Sequence, residues 1–220
     1  HPAIQRSLTC LLKVGWAYEW SMLRLIRVAF IASNACGHAM EDGFRVAITG
    51  TPGVGKTSVG GFLEAVGFTV VSVEDLAEEH GCIGDEDPED GARPIDVEKL
   101  KGMLSAVWAA PPTGMMAIDG HLSHALPVDA VVVLRCSPEV LKRRLHERGY
   151  SESKVNSNYE WELMGGSWND SDERVPWTEF DTTASEIVSI VEEIEEWASD
   201  GFKPKSLGST IDWVARMEES

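Results

Sequence analysis

The sequence has few cysteines, and they lie far apart. Only four occur in 220 residues, and no two form a Cys-x-x-Cys pair: Cys10, Cys36, Cys82 and Cys136. This spacing argues against a structural zinc site, and a disulfide framework is typical of much shorter secreted chains. We therefore expect reduced thiols and a cytoplasmic protein.

Basic residues are also scarce. Lys and Arg number 19 against 36 Asp and Glu, so the net charge is −17. Because affinity for nucleic acids and anionic membranes depends on cations that neutralise phosphate, we expect the chain to bind neither of them directly. A contact with RNA would need a small local patch or a basic protein partner. The acidity is equally typical of a solvated surface that only keeps a protein soluble.

The N-terminal segment lacks an apolar run long enough to span a membrane. Its longest uncharged stretch covers residues 28–40, whereas a spanning helix needs about 20 predominantly apolar residues. The basic residues Arg24 and Arg27 within its apolar part fit a signal peptide poorly. An amphipathic targeting or partner helix over 16–30 is the other option.

Charge separates this segment from the rest of the chain. Residues 1–43 carry +1, and the remaining chain therefore carries −18. We expect residues 1–43 to form an extension outside the working fold, 44–200 to form the domain, and 201–220 to form a tail. The tail contains Trp213 and suggests a small docking helix.

From residue 44 onward, strand-like and helix-like segments alternate. Largely apolar runs predict strands at 44–49, 68–72, 115–118 and 130–134, and we expect a last strand at 178–181. The segments between and after them predict helices at 58–66, 73–80, 96–108, 138–148 and 183–197. Start signals support three of these helices: Asp96, Ser137-Pro138, and the capping-box spacing Thr183-Ala-Ser-Glu186. This alternation predicts an α/β fold, a doubly wound parallel sheet with helices on both faces.

A phosphate-binding loop follows the first predicted strand. Residues 50–57 read Gly-Thr-Pro-Gly-Val-Gly-Lys-Thr and match the pattern GxxxxGK[ST] between a strand and a helix. Gly53 and Gly55 let the backbone curl so that N–H groups face phosphate oxygens, and the next helix adds its positive end. Lys56 is expected to reach the β and γ phosphates, and the Thr57 hydroxyl to ligate Mg²⁺. The motif predicts a P-loop NTPase that binds a nucleoside triphosphate.

A second Mg²⁺ ligand is expected at the end of a neighbouring strand. Asp119 ends the apolar run Met115-Met-Ala-Ile, where a Walker-B aspartate would lie. A lone Asp at this position is otherwise a turn former. His121 and His124 lie three residues apart, but without further His or Cys ligands nearby a zinc site is not favoured. His121 is better interpreted as a polar group near the phosphates.

Basic residues cluster after the fourth predicted strand, at Arg135, Lys142, Arg143, Arg144 and Arg148. In so acidic a chain, we interpret them as groups that clamp the charge of a transferring phosphoryl group. Arg144 and Arg148 are four residues apart and share a helix face. The alternative is a solvated helix C-terminus, which favours cations.

Five segments in this order carry a more specific resemblance: residues 50–57, Val73-Glu-Asp-Leu-Ala77, Ile118-Asp-Gly-His121, Val133-Leu-Arg135 and Glu147-Arg-Gly-Tyr-Ser151. Over residues 44–200 the chain resembles the small archaeal and eukaryotic nuclear adenylate kinases that double as small-ribosomal-subunit assembly factors. The resemblance implies a broad-specificity nucleoside monophosphate (NMP) kinase with ATPase activity and a role in late rRNA processing.

The resemblance also implies a set of site residues. The ATP site would comprise Gly53, Gly55, Lys56, Thr57, Ser58 and Arg148. Asp119 and His121 would form the catalytic Asp-x-His motif. An NMP-binding region would cover residues 72–95 and a short lid residues 147–157.

The chain departs from the family in two places. Residues 76–79 include two acids where the family often has a basic residue, which leaves Asp75 and Arg93 as the best NMP-binding candidates. Residues 165–168, Gly-Gly-Ser-Trp, replace a continued helix.

Three functions are compared on these grounds. The leading hypothesis is a kinase that uses Mg²⁺ and ATP to phosphorylate an NMP. The alternative is a ribosome-assembly switch that hydrolyses ATP with little kinase activity and contacts a basic small-subunit ribosomal protein. A GTPase is disfavoured because no Asn-Lys-x-Asp motif occurs.

Overall fold

The computed structural model describes residues 43–86, 93–204, 206 and 208–218. The predictions for the N-terminal extension lie, apart from Gly43, outside these residues. Five strands form one sheet in the order β2-β3-β1-β4-β5, with every pairing parallel. The strands are β1 Phe44–Thr49, β2 Thr69–Ser72, β3 Met115–Asp119, β4 Ala130–Arg135 and β5 Trp177–Asp181.

The helices connect and cover these strands. In chain order they are α1 Lys56–Ala65, α2 Val73–Glu79, α3 Val97–Val107, α4 Pro138–Glu147, α5 Glu152–Leu163, α6 Ile187–Ser199 and α7 Trp213–Glu218. The predicted alternation is confirmed, with bounds that shift mostly by one or two residues. The doubly wound parallel sheet is therefore correct as predicted.

The central strands are buried on both faces. Every residue of β1 and β4 is buried, as expected where helices cover both sides of a parallel sheet. Because side chains alternate along a strand, Val46 and Ile48 face one core while Ala47 faces another. The first core includes residues of α1, α4 and α6. A separate apolar cluster holds α2 and α3 against Ile118 of β3.

Of the three predicted helix start signals, one forms the expected capping hydrogen bond and two do not. Asp96 caps α3 as expected, since its side chain accepts a hydrogen bond from Lys99 N. Ser137 precedes α4 with Pro138 in the first turn, but its side chain makes no capping bond. The capping box at 183–186 is wrong: α6 begins at Ile187 after Glu186. Thr183 instead accepts a hydrogen bond from Ser137 N at 2.8 Å, which fixes the loop after β5 against the loop after β4.

The C-terminal segment packs against the domain through two apolar side chains. Ile211 and Trp213 are buried, and the Trp213 indole donates a hydrogen bond to Glu162 of α5. Among the helices of the described residues, none has both the length and the apolar character that a membrane span requires.

Candidate active site

The phosphate loop lies at the carboxyl end of the central strand. In an open parallel sheet, ligands bind where connections leave in opposite directions; here β3 and β4, on either side of β1, provide that arrangement. Gly50, Gly53 and Gly55 all have positive φ, at 134°, 93° and 108°. A Cβ at Gly53 would lie 2.9 Å from Leu141 Cδ1. Only glycine suits both the backbone and the packing there.

Lys56 is held by its own loop. Its Nζ donates hydrogen bonds to the carbonyl oxygens of Gly50 at 2.9 Å and Thr51 at 3.2 Å. Burial lowers the pKa of this lysine to about 8, and nearby Arg148 lowers it as well, while Asp119 and Glu162 oppose the shift. The predicted phosphate-binding cation therefore lies within electrostatic range of one arginine and two carboxylates.

Asp119 lies at the end of β3, beside the first turns of α1. Its residue is in register with Ile48 of β1 and Ser72 of β2, and its Oδ2 is 3.9 Å from the position of a Cβ on Gly60. Burial raises the pKa of this carboxyl, whereas Lys56 lowers it. No hydrogen bond to its side chain occurs among the described residues.

These observations test whether the residues suit Mg²⁺. Mg²⁺ prefers oxygen ligands and is usually bound by one or two protein groups together with water and substrate phosphates. A half-buried carboxylate without a hydrogen bond in the described part of the chain, and the exposed Thr57 hydroxyl on α1, fit that requirement. In the ranges described, no group of three or more His, Cys, Asp or Glu side chains is placed to hold a metal ion by itself. The donor set is consistent with Mg²⁺ on ATP and gives no support to zinc.

Two histidines fix the connection after β3 to the phosphate loop. His121 Nδ1 lies 3.1 Å from the Gly50 carbonyl oxygen, so it carries the proton and donates. Burial lowers the pKa of His121, although this hydrogen bond raises it. Thr49 donates to the His121 carbonyl at 2.8 Å and therefore accepts from His124 Nδ1. His121 lies next to the phosphate loop as predicted, and His124 acts as a support behind it.

Arg144 and Arg148 line the same cavity as the phosphate loop. The cavity has a volume of about 450 Å³, and Gly53, Gly55 and Ser58 contribute to its wall. Arg144 donates to the carbonyl oxygens of Gly53 at 3.4 Å and Thr182 at 3.3 Å. As the four-residue spacing predicted, Arg144 and Arg148 share one face, and that face is directed at the cavity beside the phosphate loop.

One wall of this cavity was missed from sequence. The loop after β5 contributes residues 182–185, and Ile187 follows on α6. The available signal was its position, because the carboxyl ends of parallel strands meet at one edge of the sheet. Nothing in the composition of Thr-Thr-Ala-Ser marks it as a binding segment.

Arg135 does not belong to the phosphate clamp. Its side chain is 1% exposed and pairs with Glu162 at 2.7 Å and Glu179 at 3.2 Å. The prediction grouped it with Arg144 and Arg148 because so many cations together are unusual in an acidic chain. Arg135 instead forms ion pairs with two buried carboxylates that lie far from it in the sequence.

The acceptor candidates lie on and beside α2. Asp75 is in the first turn of this helix, where its N–H donates to Ser72 Oγ at 2.9 Å. Arg93 forms an exposed ion pair with Glu78 at 3.7 Å. Both residues therefore flank one helix, but no contact joins them to the phosphate loop within the described ranges.

Comparison with known proteins gives a consistent family. A family model described as "AAA domain" matches residues 46–165. A protein of Archaeoglobus fulgidus described as "Putative adenylate kinase" is 38% identical over 181 residues, covering 79% of this chain and 94% of that protein. A protein of the same description from Pyrococcus abyssi is 39% identical over 176 residues, covering 79% of this chain and 93% of that protein. Another from Methanocaldococcus jannaschii is 34% identical over 173 residues, covering 78% of this chain and 94% of that protein. A gluconokinase structure from Sinorhizobium meliloti is 22% identical with a TM-score of 0.45, covering 72% of this chain and 91% of that chain.

Proposed function

The chain belongs to the family of these archaeal adenylate kinase relatives, and we propose that it transfers the terminal phosphate of ATP to AMP or another NMP. One observation carries the proposal: the phosphate loop and Arg148 line one cavity, and Arg148 and Asp119 both lie near enough to Lys56 to influence its pKa. Such a convergence of two cations and a carboxylate suits a polyphosphate with its metal ion.

The donor side follows from the geometry of these groups. Lys56 exchanges its bonds to the loop carbonyls for bonds to the β and γ phosphates, and Arg148 balances charge that develops on the transferring group. Arg144, tied to the Gly53 carbonyl, keeps the cavity wall in place. Bound Mg²⁺, held by Thr57 and Asp119, would neutralise the phosphate oxygens and orient them.

His121 has a positional role in this scheme. Its lowered pKa keeps the imidazole neutral near pH 7, so it adds no charge beside Lys56. Its Nδ1–H holds the Gly50 carbonyl, the same oxygen that Lys56 uses. His121 therefore controls one of the two bonds that Lys56 must exchange when phosphate binds.

The acceptor side depends on α2 and its neighbours. We propose that residues 72–95 form the NMP-binding region, with Asp75 and Arg93 as its polar contacts, and that residues 147–157 act as a short lid. Among the described residues, Arg93 forms an ion pair with the exposed carboxylate of Glu78, and such surface pairs contribute about 0–1 kcal/mol. An acceptor phosphate can therefore compete with Glu78 for this guanidinium at little cost.

A second candidate function follows from the weakness of that acceptor side. With Lys56 and Asp119 in place and few cations near α2, water can compete with the acceptor, so we also propose appreciable ATP hydrolysis. An ATPase switch in rRNA processing, bound to a basic small-subunit ribosomal protein in the cytoplasm, is the corresponding alternative. The charge of −18 on residues 44–220 favours a cationic protein partner over bare RNA.

A bisubstrate ligand tests the kinase proposal. Two adenosines joined through five phosphates span a donor and an acceptor pocket at once, and linked sites bind such a ligand far more tightly than either alone. We expect its Kd to lie at least about tenfold below that of ATP. Arg93→Ala should remove most of this advantage and leave ATP affinity unchanged. Equal affinity for the bisubstrate ligand and ATP would favour the switch.

A further inference from the structure

A buried carboxylate supports the phosphate loop from behind. Glu162, near the end of α5, is 1% exposed. It accepts hydrogen bonds from Thr51 Oγ1 at 2.5 Å, Arg135 Nε at 2.7 Å and Trp213 Nε1 at 3.0 Å. The backbone N–H of Cys136 adds a fourth at 3.2 Å. Three separate segments of the chain therefore donate hydrogen bonds to one carboxylate on α5.

The bond to Thr51 reaches the nucleotide site directly. Thr51 is the second residue of the loop and is fully buried. Its carbonyl oxygen accepts from Lys56 Nζ at 3.2 Å and from Val54 N at 3.3 Å. Because Glu162 fixes the side chain of Thr51, it also fixes the peptide that orients Lys56. The negative charge of Glu162 helps to keep this lysine protonated.

The C-terminal segment closes the same network. Arg135 Nη1 donates to Ser209 Oγ at 2.9 Å and to Glu179 at 3.2 Å. Glu179 in turn accepts from the backbone N–H of Ile211 at 2.7 Å. The Trp213 indole donates to Glu162. The segment 209–213 therefore forms hydrogen bonds with both carboxylates and with the arginine between them.

The network is costly to bury and has a specific consequence. Two carboxylates and one guanidinium lie together at 1% exposure, and a buried ion pair is weak evidence for stability by itself. Removing one partner leaves a charge without its hydrogen bonds, which is far more damaging than the pair is favourable. Such a cluster maintains one geometry, and here that geometry includes the phosphate loop.

We propose that Glu162 is a positioning residue for the phosphate loop, and that the C-terminal segment 209–213 is part of the nucleotide site through Trp213. The proposal rests on the proposed function only in taking ATP as the ligand. The tail predicted as a small docking helix thus acts on ATP binding through the hydrogen bond from Trp213 to Glu162.

The test compares variants that remove single hydrogen bonds. Thr51→Val deletes the hydroxyl while keeping the shape, and Thr51→Ser restores it. Trp213→Phe deletes the indole N–H at the network, and Trp197→Phe is the matched control, because Trp197 is buried and donates to Pro204 O at 2.9 Å in the core. ATP affinity of the full chain is measured by calorimetry, with the melting temperature recorded for every variant.

We expect Thr51→Val and Trp213→Phe to weaken ATP binding by about 5- to 20-fold, which is less than the full effect of a lost hydrogen bond to a charged group because the change reaches ATP only through the phosphate loop. Thr51→Ser should bind within about twofold of wild type. Trp197→Phe should lower the melting temperature without changing ATP affinity. Wild-type affinity in Thr51→Val, or a Trp213→Phe variant that only melts earlier, would overturn the inference. A chain that binds ATP normally but never phosphorylates AMP would instead contradict the proposed function.

Discussion

The lowered pKa of Lys56 predicts that ATP binding takes up a proton. Burial holds this pKa at about 8 in the free protein. Phosphate oxygens favour the charged form, so the pKa rises again when ATP binds. Near pH 8, Lys56 is neutral in about half of the molecules, so ATP binding should take up about 0.5 proton per molecule. Near pH 9 the uptake should approach about 0.9 proton per molecule. ATP affinity should fall by about tenfold between pH 7 and pH 9, or about 1.4 kcal/mol.

The same shift affects the stability of the free protein. The folded pKa lies below the unfolded value of 10.5, so the charged lysine opposes folding at every pH below about 8. This cost is relieved as the pH rises from about 8 towards 10.5. A full shift corresponds to about 3 kcal/mol, and partial exposure of the side chain to water makes the real effect smaller.

Calorimetry in two buffers of different ionisation enthalpy measures the uptake. The observed binding enthalpy changes with the buffer in proportion to the protons exchanged. Lys56→Arg is the control, because a guanidinium stays protonated throughout this range, and its uptake near pH 8 should vanish. ATP binding without proton uptake in the wild type, or equal uptake in Lys56→Arg, would refute the reasoning.

Four further predictions concern single changes. Asp119→Asn should lower transfer and hydrolysis together by at least about 100-fold, since both use the same metal ion; unequal losses in a steady-state assay would contradict a shared site. Arg93→Ala should raise the KM for AMP and leave ATP hydrolysis intact, so a loss of hydrolysis would argue against an acceptor role. Gly53→Ala should abolish ATP binding because Gly53 has a φ of 93° and a Cβ there would contact Leu141. Gly61→Ala, which has open space around it in α1, should instead stabilise the fold by about 0.5–1 kcal/mol in a denaturant titration. The opposite effects would contradict the requirement for glycine at position 53. A chain that begins at Met40 should bind ATP like the full chain, and loss of binding in a folded truncation would show that residues 1–39 contribute.

The strands and the place of the phosphate loop were predictable because local patterns determine them. The run from Phe44 to Thr49 is largely apolar, with Arg45 and Thr49 as its exceptions, and a strand buried on both faces needs no alternation. The phosphate loop is a motif of consecutive residues, so its position between β1 and α1 can be predicted from the sequence alone. Asp119 was found by the same logic, as the polar residue that ends a neighbouring strand.

The buried network could not be predicted, because its members are far apart in the chain. Thr51 and Glu162 are separated by 111 residues, and no local pattern distinguishes Glu162 from the other acids of α5. Arg135 was misinterpreted for the same reason. The Gly165-Gly166 departure has a local cause instead: a Cβ on Gly166 would overlap the ring of Trp161 at 2.2 Å, so glycine lets the chain turn back over its own helix.

Tracing the terminal phosphate of ATP tests the kinase account most directly. ATP labelled at the γ position is incubated with the full chain, Mg²⁺ and AMP, and the label is separated into ADP and inorganic phosphate. The account predicts that AMP moves most of the label into the β position of ADP formed from AMP, with a smaller share released as phosphate. Label found only in inorganic phosphate, at a rate that AMP does not change, would contradict it.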